Sequence, residues 1–262
     1  MPGAFLWDDR VKYAASVVSS GGTVASSRPV SNLLDQQPRI RARWIGASAS
    51  IQVDYSGTVT ADALALISTS LSSAATIRWR QGSAIGTWAF DSGTLNCLTD
   101  DGANGNVVLL ASSAAVGRYL QVDIADPGAA VIDLGRLVSG ALWRPTRAFA
   151  YGVQEGRLIL DRRDRNTFTG AEFPVPALAN PRVTRFTLPL LTPAEIKGQH
   201  RNMLRAMGAV GDALWIPETG LAQAELNARS IWGAVAEAGA EALASRNSFP
   251  GSSRSFVITE RV

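Results

Sequence analysis

Cysteine and histidine are almost missing from this chain: among 262 residues Cys97 and His200 stand alone. One cysteine excludes a disulfide within the chain, and one histidine excludes zinc sites built on paired histidines. Lysine is nearly as scarce. Lys12 and Lys197 are the two, so positive charge is almost wholly arginine, whose planar fork suits bidentate pairing with carboxylates. Long apolar runs are lacking as well. No stretch approaches the roughly 20 residues that cross a bilayer, so no membrane insertion is expected. The opening MPGAFLWDDR has acidic residues where a secretory leader has basic ones, and no apolar core follows; the expectation is a soluble protein made in the cytoplasm. A large excess of charge of one sign is also missing. The net charge is +3, and the arginines are scattered apart from Arg39/Arg41/Arg43 and Arg162/Arg163/Arg165. A nucleic-acid surface calls for a denser basic stripe, so no nucleic-acid partner is expected.

What is present is a folded composition, 46% hydrophobic and 18% charged. The first half reads as short strands: IQVDY (51–55), ALALIST (63–69), ATIRWR (75–80), TWAF (87–90), NVVLLA (106–111), RYLQVDI (118–124) and AVIDLG (130–135). In RYLQVDI the polar Tyr119, Gln121 and Asp123 alternate with Leu120, Val122 and Ile124. That pattern gives one wet and one buried face of an antiparallel sheet. Turn-forming residues lie between the runs, and DDGANGN (100–106) reads as a hairpin loop. Many short strands at this spacing predict a β-sandwich or barrel. LWRPTRAF (142–149) reads as a junction, since Pro145 cannot extend a central strand and Trp143 can seal two bodies against each other.

Beyond the junction, RLILD (157–161) reads as a strand, RRDRNTFTG as a polar turn, and FPVPALANP (173–181) as an extended connector. A helix follows over 193–207. Thr192 is the N-cap, Pro193 takes the first helical position, and Glu195 completes a capping box. Gly208 and Gly211 end it. ALWIP (213–217), ARSIWGAVAE (228–237) and SFVITERV (255–262) read as strands, the second with a helix as the alternative. The expected fold class is thus mainly β: an N-terminal antiparallel β-sandwich over 1–145, then a smaller α+β domain over 146–262 with one main helix.

Chemistry is thinly represented. His200 lies beside the apolar face of the helix, and a general base there needs an oriented nucleophile. Cys97, within TLNCLTD, has neither the glycine nor the helix start that activates a thiol. The plain reading is a half-buried histidine hydrogen-bonded across the helix. No G-x-S-x-G, P-loop or G-x-G-x-x-G occurs. Aspartates crowd the first half and could form a hydrolase pair, yet most fall at turns or on solvent faces of strands. No catalytic residue, cofactor site or metal site is assigned, and the expectation is a non-enzyme. Seven tryptophans are the more suggestive feature. On a sandwich they stack on sugar rings or anchor cores and interfaces, and the apolar context of IRWR and LWIP favours the core.

Two stretches carry a resemblance. SSRPVSNLLDQQPRIRARWIG (26–46), with Asn32, Leu33, Leu34, Asp35 and Trp44, resembles the opening of galactose-binding-like (discoidin-type) jelly rolls. RFTLPLLTPAEIKGQHRNMLRAMGAVGDALWIPE (185–218), with the late strand SFVITERV, looks like tailed-phage tail-tip or baseplate proteins of the distal-tail kind. In many of those the sandwich follows the ring-forming domain, whereas here the jelly roll comes first. The resemblance implies a structural component of a virion, made in the bacterial cytoplasm. It would assemble as a ring of copies against tail-tube, tip or hub proteins. Trp143, Arg162, Arg163 and Arg165 are the candidate interface residues, because tryptophan and arginine dominate such contacts. A second reading is a carbohydrate-binding module for host glycans. It predicts exposed aromatics on the sandwich, and burial of Trp44, Trp79 and Trp88 counts against it. A third, a paired-carboxylate hydrolase, predicts two carboxylates facing each other in a pocket.

Overall fold

The computed structural model describes residues 3–99, 105–150, 152–165, 167–175, 177, 180–208, 211–237, 242–243 and 252–261. Most of the expected DDGANGN loop lies outside them. The chain opens with β1 (Ala4–Leu6) and β2 (Ser16–Val24). β3 (Ala42–Thr69), β4 (Thr76–Gly82), β5 (Phe90–Asn96), β6 (Gly105–Ala125), β7 (Val131–Leu134) and β8 (Arg136–Gly140) follow.

β3 and β6 are long, bent and paired antiparallel along their lengths. IQVDY with ALALIST, and NVVLLA with RYLQVDI, are therefore single strands and not four. The pairing shifts between Asp54 and Val59, where Ser56 adopts φ 63° next to Gly57. This bulge turns each strand from one layer of the sandwich into the other. One layer runs β2, the first half of β3, the second half of β6, β4 and β5. The other runs β8, the second half of β3 and the first half of β6, while β7 pairs with the start of β3. This two-layer antiparallel arrangement is the expected jelly roll. Its core holds Trp44, Ile51, Val53, Leu64, Leu66, Trp79, Leu120 and Val122, all sealed from solvent. TWAF is not a strand over 87–90. Its residues fold back as a turn, and β5 begins only at Phe90.

The second half holds β9 (Gln154–Arg157), β10 (Arg162–Arg165), β11 (Glu172–Val175) and β12 (Arg182–Leu191). α1 (Pro193–Glu195) leads through a π turn into α2 (Arg201–Met207). β13 (Asp212–Ile216), α3 (Gln223–Arg229), β14 (Ile231–Glu237), β15 (Ala242–Leu243) and β16 (Ser252–Glu260) complete the chain. The sheet order is β1-β13-β14-β16-β12-β9, antiparallel throughout. The first strand of the chain thus lies in the sheet of the second half, a pairing that no local pattern announces.

The capping box forms as expected: the Thr192 hydroxyl accepts from the Glu195 N–H while the Glu195 carboxylate accepts from the Thr192 N–H. The helix is not regular, because Gly198 leaves helical geometry and kinks it. Gly208, at φ 51°, stops it. RLILD is not a strand over 157–161. β9 stops at Arg157, and the supposed polar turn is the hairpin β10–β11. ARSIWGAVAE divides between the last turn of α3 and β14.

Alternation along β13 sends Ala213 and Trp215 to one face and Leu214 and Ile216 to the other. The first face packs Phe5, Phe186, Leu188 and Phe256 beneath Met203 and Met207 of α2. The second meets Ala63, Ala65, Val108 and Val138 of the jelly roll.

Candidate functional site

The outer face of the β2–β5 layer is polar by alternation. While Ile51, Trp79 and Val122 point inward, their neighbours Ser50, Arg78, Arg80, Gln121 and Asp123 point outward. Asp123 collects the Ser50 hydroxyl, the Gln121 amide at 3.0 Å and the Arg80 guanidinium. Burial alone would raise its carboxyl, but these contacts prevail and hold it below the ordinary value.

At one end of this face Gly82 stands directly opposite Tyr119. A Cβ on Gly82 would lie 1.9 Å from the Thr87 carbonyl oxygen and 2.9 Å from the Trp88 Cα, so only glycine lets the 83–89 turn fold back this closely. The turn is closed by the Ala89 N–H donating to the Gln81 carbonyl at 3.0 Å. It leaves Trp88 half-exposed, with the Arg80 guanidinium 5.2 Å from its ring centroid. Tyr119 is also half-exposed, with Arg118 at 5.0 Å from its ring. Arg118 in turn forks onto Asp54 at 2.7 and 2.8 Å, which holds that carboxyl down at about 2. The result is a pair of aromatic rings, each beside an arginine that is itself anchored to a carboxylate. Rings offer flat apolar surface, and the charged groups at their rims offer hydrogen bonds. The sequence pointed to Trp88 as one of several tryptophans. The sequence marks Tyr119 only as part of one wet sheet face, and Arg80 and Arg118 only as members of the ATIRWR and RYLQVDI runs.

Trp143 is 5% exposed and stacks on Phe5 with ring centroids 5.4 Å apart. Reciprocal backbone hydrogen bonds join the same two residues at 2.8 and 2.9 Å. It seals the junction to β1 inside the chain. Arg162, Arg163 and Arg165 lie far from such a core, on the solvent-exposed β10–β11 hairpin. Arg162 pairs with Asp164 at 3.4 Å and Arg163 with Glu172 at 3.7 Å. The structure sets these arginines on one arm with large exposed apolar side chains: Ile159, Leu160, Phe168 and Phe173. It does not bring them together with Trp143.

His200 is not half-buried but 2% exposed, its ring 6.2 Å from that of Trp143 and 5.8 Å from that of Phe256. Cys97 belongs to the jelly-roll core, a different cluster, and burial pushes its thiol up to about 12. The two do not form a nucleophile–base pair. Asp9 and Asp212 do line one cleft with Lys12 and Arg136, but its free volume is about 40 Å³, room for a few waters. Each carboxylate is held by an arginine, Asp9 by Arg136 at 2.7 Å and Asp212 by Arg261 at 2.9 Å. This pair gives the hydrolase reading no support. Among the described residues no group of three or more His, Cys, Asp or Glu side chains could hold a metal ion, and no helix is long and apolar enough to cross a membrane.

No protein-family model matches the chain, and no curated protein matches it in sequence. Several solved structures resemble about half of it. One is "CBM32 of AlyQ in complex with 4,5-unsaturated mannuronic acid", 14% identical, covering 48% of this chain and 94% of that one, TM-score 0.37. Another is the lectin domain of lectinolysin complexed with Lewis B antigen, 13% identical, covering 52% and 99%, TM-score 0.39. A third is a Streptococcus pneumoniae fucose-binding module, 9% identical, covering 50% and 96%, TM-score 0.37.

Proposed function

We propose that this chain is a non-catalytic binding protein whose jelly roll takes a glycan on the Trp88–Tyr119 platform. The observation that carries the reading is the pair of half-exposed rings flanked by Arg80 and Arg118 and anchored by Asp54 and Asp123. A sugar presents one apolar face of C–H bonds and a rim of hydroxyls, which such a platform matches. Trp44 and Trp79 are sealed in the core and contribute no contact, so the site is small and suits one or two sugar units. The test is a glycan array followed by calorimetry on the best hit. Trp88→Ala and Tyr119→Ala should each weaken binding about tenfold or more, because each removes one of the two flat apolar surfaces on which the sugar would rest. Binding to no glycan at millimolar concentration, or binding indifferent to both substitutions, overturns the reading.

A second reading is favoured by the arm. Ile159 is 71% exposed, Phe168 98% and Phe173 56%, close in sequence to Arg162, Arg163 and Arg165. Clustered exposed apolar groups beside arginines mark protein contacts. In this reading the chain is a structural component, assembling with copies of itself or with neighbours as a tail-tip or baseplate protein of a phage would. Residues 1–145 and 146–262 would act as two units, with β1 tying the first to the second. Light scattering, alone and with a tail-tube protein, tests it. A chain that stays monomeric and joins no tail protein sinks this reading and leaves the glycan reading standing.

A further inference from the structure

At the opposite edge of the second sheet, a pocket of about 260 Å³ opens between β9, β12 and the end of α3. Antiparallel pairing places Arg157 opposite Arg182 and Glu155 opposite Thr184. All four side chains therefore lie on one face of the sheet. Like charges directly opposite each other destabilise a strand pair unless something neutralises them. Arg182 is neutralised within the chain: its Nε and Nη2 donate to Glu260 at 2.9 and 2.6 Å, and it also donates to the Ala228 and Ser230 carbonyls. Arg229, on the α3 side, pairs with Glu155 at 3.2 Å and with Glu225 at 3.4 Å. Arg157 is different. Its guanidinium donates to the Asn180 carbonyl at 3.3 Å, and among the described residues no carboxylate pairs with it. Thr184 is 1% exposed and lines the same pocket, and its hydroxyl has no hydrogen-bond partner. A buried hydroxyl left unmatched costs free energy that a ligand atom would recover. Ile231 supplies an apolar wall.

We propose that this pocket binds a small monocarboxylate, its carboxylate paired with the Arg157 fork and the Thr184 hydroxyl and its body resting against Ile231. Arg157, the lining arginine that no carboxylate pairs with among the described residues, suits a single negative charge. The planar guanidinium matches two carboxylate oxygens at once. The volume, just under the roughly 300–1,000 Å³ of ordinary small-molecule sites, limits the ligand to about the size of one sugar acid or one acylated amino acid. The site is independent of the jelly-roll platform, so either can fail without the other.

The test is titration of the whole chain, followed by amide NMR shifts, with glucuronate, N-acetylglycine, glucose and inorganic phosphate. At least one of the two carboxylates should bind at the β9–β12 edge, and which one distinguishes a sugar acid from a peptide terminus. Glucose should bind at least about tenfold more weakly, since it lacks the charge-assisted pair with Arg157. Arg157→Gln should lose most of the affinity, and Thr184→Val, nearly isosteric, should lose several-fold. Neither variant should lower the melting temperature, since one removes an unmatched buried hydroxyl and the other a like-charge pair. The proposal fails if neither carboxylate shifts these amides, if glucose binds as well as glucuronate, if phosphate binds more tightly than both carboxylates, or if Arg157→Gln binds unchanged.

Discussion

Arg136 and Asp9 form a sealed ion pair, Nη2 to Oδ2 at 2.7 Å, with side chains 2% and 5% exposed. Asp9 also accepts from the Val11 N–H at 3.0 Å and the Ser139 N–H at 3.3 Å. Arg136 donates to the Leu34 and Asp35 carbonyls and lies 4.8 Å over the Trp232 ring. One guanidinium thus connects the segment after β1, the jelly roll and β14 of the second sheet.

Removing one partner of such a pair leaves the other charge buried and uncompensated. Asp9→Ala should lower unfolding free energy by about 3–5 kcal/mol in urea titrations. The double variant Asp9→Ala/Arg136→Met should be less damaged than the sum of the two single changes. Additive losses would show that the pair is not coupled.

Asp54 is held at about 2, first by the Arg118 side chain and then by the Ser56 N–H, against an ordinary value of 3.8. A depressed folded value means that Asp54 stabilises the fold above its unfolded value, and that this contribution fades as pH falls through about 2. A carboxyl NMR titration should therefore place the Asp54 midpoint near 2. In Arg118→Gln it should move up toward 3.8, and the ring of Tyr119 should become more mobile. A wild-type midpoint near 4 would mean that the Arg118 fork does not form in solution.

Cys97 should resist alkylation at pH 8 in the folded protein, because its thiol is buried and pushed up to about 12. After denaturation it should react at the rate of a free thiol. Mass spectrometry after timed iodoacetamide exposure reads both. Rapid labelling of the native chain would mean that the end of β5 opens.

Gly82→Ala forces a methyl group into the Thr87 carbonyl and the Trp88 backbone. The 83–89 turn must move, so stability should fall by about 1–3 kcal/mol. Tryptophan emission should shift as Trp88 leaves Arg80. Unchanged emission and an unchanged melting temperature would mean that the turn is already loose.

The alternation in RYLQVDI correctly divided Leu120, Val122 and Ile124 from Tyr119, Gln121 and Asp123, because burial of one sheet face imposes that period locally. The capping box at Thr192 and Glu195 was legible for the same reason, since both partners lie within one turn. The bend at Ser56 was not legible. Gly57 stands beside it, but a lone glycine within a strand run does not specify a bend, and the bulge arises from the pairing of β3 with β6. Nor could the sequence show that β1 pairs with β13, more than 200 positions away. The α3 turn was hidden by alanines that suit helix and strand alike.

Local chemistry alone set the mainly β class, the alternating faces, the capped helix and the scarcity of reactive groups. Each of these depends on neighbours a few residues apart. Which tryptophans seal the core, and that Arg157 faces Arg182 with no carboxylate partner among the described residues, were decided only when distant strands came into register. Those properties belong to pairs of residues separated by dozens of positions, and no short-range period encodes them.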